Sequence, residues 1–204
     1  SQQGEWDSNG QVLWLAWQHL LYSNNSALTQ EQLATLRDGV KWIEDKRRSR
    51  KGEESEVDGL MPSGLSAEHL GLADYYFWDN FWSLAGLESF AAICEQLDLH
   101  REAERTREEI DSYRKDIERS INRMQQNYTT TAITAGPLRK IDCGMIGSVA
   151  ALYPLQVLAS TDARVVQTLQ ILTDQFCMNG MFIQDFIHSG MNVYLTLQIA
   201  HAWL

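Results

Sequence analysis

The sequence predicts an all-α fold, a single helical domain over residues 1–204 built from about seven helices in alternating inner and outer hairpins. Three observations predict it. Strand-like alternation of β-branched residues is almost absent, and Pro62, Pro137 and Pro154 are the only prolines. Apolar residues recur at helical spacing along most of the chain. The helices are also of two kinds, which take turns.

The first kind is apolar nearly all round and therefore needs cover on every side. Val12-Leu-Trp-Leu-Ala-Trp17 with Leu20-Leu-Tyr22 is the first of these. The second runs from Phe81-Trp82 through Leu84, Leu87 and Phe90 to Cys94. Met145-Ile146, Val149 to Tyr153 and Val157-Leu158 make a third, and Met191 to Leu204 a fourth. Between them lie helices with one apolar stripe on a charged body. Leu33, Leu36, Val40 and Ile43 form one stripe. Ala103, Ile110, Tyr113, Ile117, Ile121 and Met124 form the next, and Val165, Leu169, Leu172 and Phe176 the last. Such helices have one buried face and one wet face. Short breaks at 23–26, 98–100 and 160–162 join each inner helix to its outer partner, and longer segments near 50–76, 128–141 and 178–189 lead to the next inner helix. The pattern is a repeat of hairpins rather than of sequence words. A plain four-helix bundle would give every helix one stripe, so two layers are expected.

Each inner helix is preceded by polar residues: Asp7 to Gln11, Asp79-Asn80, Asp142 to Gly144, and His188 to Gly190. These satisfy free amides at a helix start. In a closed ring they would also line one mouth. The basic run Lys46 to Lys51 reads as a helix end, where cations complement the dipole.

Bulk properties narrow the function. The formal charge of −10, from 27 acidic and 17 basic residues, disfavours nucleic acid as a partner. No apolar run is long enough for a membrane span. Cys94, Cys143 and Cys177 lack metal or disulfide spacing and read as free thiols among apolar residues, which favours the cytoplasm. No histidine pair has metal-ligand spacing, and no phosphate-cradling glycine loop or nucleophile elbow is present, so no metal or cofactor is expected.

The stretches "GLMPSGLSAEHLGLADYYFWDNFW" and "GMFIQDFIHSGMNVYLTLQIAHAWL", set in double-layer hairpins, resemble the six-hairpin, (α/α)6-barrel glycosidases. That superfamily contains glucoamylase, trehalase, rhamnosidase and debranching enzymes, and the sequence style is similar to its bacterial members. A complete six-hairpin toroid needs more helices than the seven or so read here, so the resemblance implies a partial barrel, the C-terminal portion or a fragment of such a catalytic domain. It also implies hydrolysis of an oligo- or polysaccharide by two carboxyl groups, about 6.5–9.5 Å apart in an inverting enzyme.

The acid must be partly desolvated to stay protonated near neutral pH. Glu68 fits, in a long segment beside Tyr75, Tyr76 and Trp78; Asp79 and Asp74 are its rivals. Asp79 reads more as the cap of the following helix than as the acid, and Asp74 as a hydrogen-bond partner of a sugar hydroxyl. Asp185 is the candidate base, in a segment placed like the base-bearing loop of glucoamylase-like enzymes. His69 and His188 read as structural hydrogen-bonders beside the substrate. Asp7 and Asp142 would line the pocket, and Trp6 and Trp78 would offer stacking surfaces. Trp14, Trp17, Trp82 and Trp203 read as core, Trp42 as packing inward, and Arg139-Lys140 as solvated loop charges. Two other readings stay open. One is a helical-repeat module that binds a protein or glycan without chemistry; the other is a piece inactive alone, whose exposed helical edges drive self-association.

Overall fold

A computed structural model describes residues 4–23, 28–49, 52, 55–65, 72–186 and 188–204, with the side chains of 186, 188 and 189 outside that description. Its described elements are α1 (Ser8–Tyr22), α2 (Gln30–Arg48), α3 (Phe77–Gln96), α4 (His100–Tyr128), a 3-10 helix (Cys143–Ala151), α5 (Ala163–Phe176), strands β1 (Cys177–Met178), β2 (Met181–Phe186) and β3 (His188–Met191), and α6 (Val193–Trp203). The fold is mostly helical, and none of the described helices is long and apolar enough to cross a membrane.

α3 is the centre. It is buried at nearly every position and packs against α1, α2, α4 and the 3-10 helix. The single-stripe helices behave as their spacing predicts. Leu33, Leu36, Val40 and Ile43 are buried on α2, the expected stripe is buried on α4, and Val165, Leu169 and Leu172 are buried on α5. α2 begins with a capping box in which Thr29 and Gln32 satisfy each other's backbone amides, at 3.2 and 2.9 Å.

α1 and α3 run parallel. Asp7 meets Trp78 at their starts, and Trp14 meets Trp82 further along with ring centroids 5.7 Å apart. Between these contacts the backbones nearly touch. A Cβ on Gly10 would lie 2.3 Å from the Trp82 carbonyl oxygen, and one on Gly86 would lie 2.7 Å from the Gly10 Cα. Only hydrogen at both positions permits that approach.

α2 and α4 are fastened by a buried ion cluster. Arg47, 1% exposed, donates to Glu109 and, at 2.6 Å, to Asp116, and stacks 4.3 Å over the Tyr113 ring. Arg48 binds the other Glu109 oxygen at 2.6 Å, and Arg119 binds Asp116 at 2.7 Å. The basic run is therefore only partly a helix end: Arg47 is a buried fastener.

Three expectations are corrected. The third all-apolar segment is a 3-10 helix rather than an α-helix. It contains Gly144 and Gly147, both poor helix formers, and every one of its residues is buried. The segment expected as a connection at 178–189 forms an antiparallel sheet of order β1-β2-β3, with Asp185 opposite Ser189 and Ile183 opposite Met191. Third, α1 and α6 are not covered all round. Val12, Leu15 and Tyr22 on α1, and Val193, Tyr194, Leu197 and Trp203 on α6, are exposed. Trp203, expected in the core, is 47% exposed, and Trp14 and Trp17 are only partly buried. The three cysteines are free thiols, Cys94 and Cys143 buried and Cys177 half-buried.

Candidate functional site

Parallel packing brings several helix starts to one end of the molecule, joined by a chain of side-chain contacts. At the start of α1, Asp7 Oδ2 accepts from Gln11 Nε2 and from the Trp78 indole, each at 2.8 Å. At the start of α3, Tyr76 takes a hydrogen bond from Arg139 Nη1 on its hydroxyl at 3.2 Å and donates that hydroxyl's proton to the Leu72 carbonyl. Arg139 also holds Asp142 Oδ2, at 2.7 and 3.1 Å. Asp142 Oδ1 caps the 3-10 helix through Gly144 N at 2.9 Å. Next to it, the Cys143 sulfur accepts from Asp185 N on β2 at 3.2 Å. Asn192 caps α6 through Leu195 N at 3.0 Å and donates to Gln184.

Asp79 is the unusual group in this cluster. It is 1% exposed, and neither carboxylate oxygen has a hydrogen-bond partner among the described residues. Burial pushes its pKa well above the ordinary carboxyl value, and Asp7 and Glu5 nearby push it further. Burial thus favours the protonated form of this carboxyl. It does not cap its helix, because α3 starts at Phe77, after Tyr76, and puts Asp79 inside the first turn. The neighbouring Asn80 is fully engaged instead. It accepts from Met61 N at 2.9 Å and Tyr113 Oη at 2.8 Å, and donates to the Tyr76 carbonyl at 2.7 Å. Burial likewise lifts the Tyr76 hydroxyl to about 12, against the opposing guanidinium of Arg139.

The other expected residues are placed as follows. Glu68 and His69 lie outside the described residues. The segment carrying them is closed at its base by a two-bond bridge between Gly64 and Asp74, both bonds 2.9 Å. Asp74 is half-buried and turns its Oδ1 back to Tyr75 N at 2.8 Å. Tyr75 is half-buried beside it. Trp78 and Tyr76, expected at the mouth, are buried in the core, where Trp78 packs on Trp82 at 5.7 Å. Trp6 donates to the Ser63 carbonyl at 3.1 Å and packs against Trp42 at 5.8 Å, under the Lys46 ammonium at 4.8 Å. Asp185 is exposed on β2. The backbone of His188 pairs with Phe186, and its side chain lies outside the description.

Arg139 departs from the solvated charge its sequence suggests: its side chain is 13% exposed and bridges two helix starts. Nothing in its local sequence signals this, although Asp142 three residues on is the spacing of its partner. Glu5 carries no signal in the sequence, and Cys143 reads there only as a free thiol among apolar residues. Among the described residues, no group of three His, Cys, Asp or Glu side chains is placed to hold a metal ion. The cluster thus sets a buried carboxyl group without a hydrogen-bond partner among the described residues beside the Asp7 carboxylate and the Arg139–Asp142 pair.

No family model, no curated protein and no solved structure matches this chain.

Proposed function

We propose that this chain is a carbohydrate-active protein of the (α/α) hairpin type, acting as a glycoside hydrolase through paired carboxyl groups. The observation that supports this most is Asp79, a buried carboxyl group without a hydrogen-bond partner among the described residues, in the first turn of α3 beside Asp7, in an end of the molecule that also gathers Asp74, Asp142 and Asp185. In this reading Glu68 or Asp79 gives the proton to the leaving oxygen, and Asp185 activates water. Asp7, Asp74, Tyr75 and Asp142 bind sugar hydroxyls, with Trp6 and His188 at the margin. Tyr76 and Trp78 shape the site from behind. Completing the toroid requires further hairpins against the exposed faces of α1 and α6. Release of reducing sugar from α-linked glucans tests the proposal. Glu68→Gln, Asp79→Asn and Asp185→Asn are each expected to lower turnover about 10²- to 10⁴-fold if they supply general acid–base catalysis. Normal turnover in all three variants would refute the assignment.

A second reading is a binding module without chemistry. It is favoured by the burial of Asp79, which a substrate oxygen could reach only after the start of α3 opens. Saccharide binding with no turnover by the wild-type chain would select it.

A further inference from the structure

We propose that the groove between the C-terminal halves of α1 and α3 is a binding site for a neutral saccharide, separate from the helix-start cluster and independent of its chemistry. The groove is lined by Trp14, Trp17, Gln18, Tyr22, Glu88 and Gln156 and encloses about 400 Å³. Small-molecule sites span about 300–1,000 Å³. Its residues lie six to fourteen positions beyond the start of α1, hence roughly 10–20 Å from the Asp7 end at the helical rise.

The lining has the chemistry of a polyol site. Trp14 is fixed edge-on against Trp82, and Trp14 and Trp17 are both only partly buried, so indole surface remains open to the groove. No protein group among the described residues accepts the Nε1–H of either indole, and the side-chain amides of Gln18 and Gln156 likewise have no protein partner. Two indole side chains and two side-chain amides, each amide both donor and acceptor, therefore line one space with unused hydrogen-bonding capacity. The carboxylate, Glu88, is neutralised by Arg114, which also binds the Val157 carbonyl at 3.1 Å. A charged ligand gains nothing there. A flat ring with an apolar face and a rim of hydroxyls matches aromatic surface and free amides together. The backbone adds a second sign. Gln156 adopts φ +55°, a left-handed conformation that a non-glycine residue holds at a cost, and its backbone N–H donates to the Leu152 carbonyl at 3.1 Å.

The test is a titration of the ¹⁵N-labelled chain with maltose and with cellobiose, following the indole Nε1–H resonances. The Trp14 and Trp17 resonances should move saturably with at least one disaccharide, with Kd on the order of millimolar, while those of Trp6 and Trp78 stay in place. Trp17→Ala should weaken binding at least about tenfold. Gln18→Ala, at a half-buried helical site that alanine suits, should weaken it severalfold. Asp79→Asn should leave the affinity unchanged, so loss of hydrolysis and loss of this site are read separately. Absence of saturable shifts, unchanged affinity in both groove variants, or shifts driven by a proline-containing tripeptide and not by sugar would overturn the proposal.

Discussion

Replacing Asp79 by asparagine should stabilise the protein by an amount that grows with pH. In the folded chain the carboxyl is buried, lacks hydrogen-bond partners and lies beside Asp7 and Glu5, so its pKa is raised. In the unfolded chain the same group ionises near the ordinary value of about 3.9. Above that pH the folded state retains a proton that the unfolded state has released. Stability from this group is therefore fully present below about pH 4. It falls by about 1.4 kcal/mol per pH unit until the pH reaches the raised folded value, where the loss levels off. Asparagine carries no such proton, so the variant's curve lacks this slope. For a chain of this size 1 kcal/mol moves Tm by about 2–4 °C, so the Tm gap should widen by roughly 3–6 °C per pH unit. Thermal melts of both proteins between pH 4.5 and 8 measure it. A gap that stays constant across that range would mean that Asp79 ionises normally in the fold, and the account of the buried acid would be wrong.

Four further outcomes follow from the packing. Gly10→Ala should cost about 1–3 kcal/mol or more by urea unfolding, because its Cβ meets the Trp82 carbonyl at 2.3 Å; a neutral result would mean that α1 and α3 separate without penalty. Arg47→Ala leaves buried Glu109 and Asp116 short of a partner and should cost about 3–5 kcal/mol, checked by the same unfolding curves. Asp162, held below the usual carboxyl range by Arg164, caps α5 through Arg164 N, so its stabilisation is present above about pH 4 and lost as pH falls through its lowered folded value. Asp162→Ala should therefore cost about 1 kcal/mol at pH 7 and little at pH 2.5 by denaturation. Sedimentation should show concentration-dependent association through the apolar faces of α1 and α6, weakened by Leu15→Glu and by Leu197→Glu; a monomer at every concentration would exclude it.

Much of the fold was legible where local spacing and burial coincide. The stripes of α2, α4 and α5 came from period alone, because one wet face makes the period visible. The all-apolar segments were found too, but their conformation was not. In a run such as Cys143 to Ala151 there is no polar side to mark a turn length, so neighbouring elements decide between α and 3-10 geometry. The strands at 177–191 escaped because Gln184, Asp185 and Ser189 interrupt the apolar alternation, while pairing with a neighbouring strand supplies the stability. At the candidate site the acidic helix starts were visible as residue types. Which of them is buried with a raised pKa was not, because burial belongs to the neighbours and not to the residue.

The sequence by itself determined the helical class, the positions of the single-stripe helices and the placing of carboxyl groups ahead of the apolar segments. These are properties of residues within a turn or two of one another. Only the tertiary structure decided that Gly10 and Gly86 bring α1 against α3, that Arg47 and Arg139 are fasteners rather than solvated charges, and that Trp78 is core while Trp14 and Trp17 line a groove. It also singled out Asp79 from five similar aspartates as the acid without a partner. The physical reason is that solvation and pairing are set by what packs across from a side chain. Trp78 lies 71 positions from the Asp7 carboxylate that its indole binds, a separation no local pattern can span.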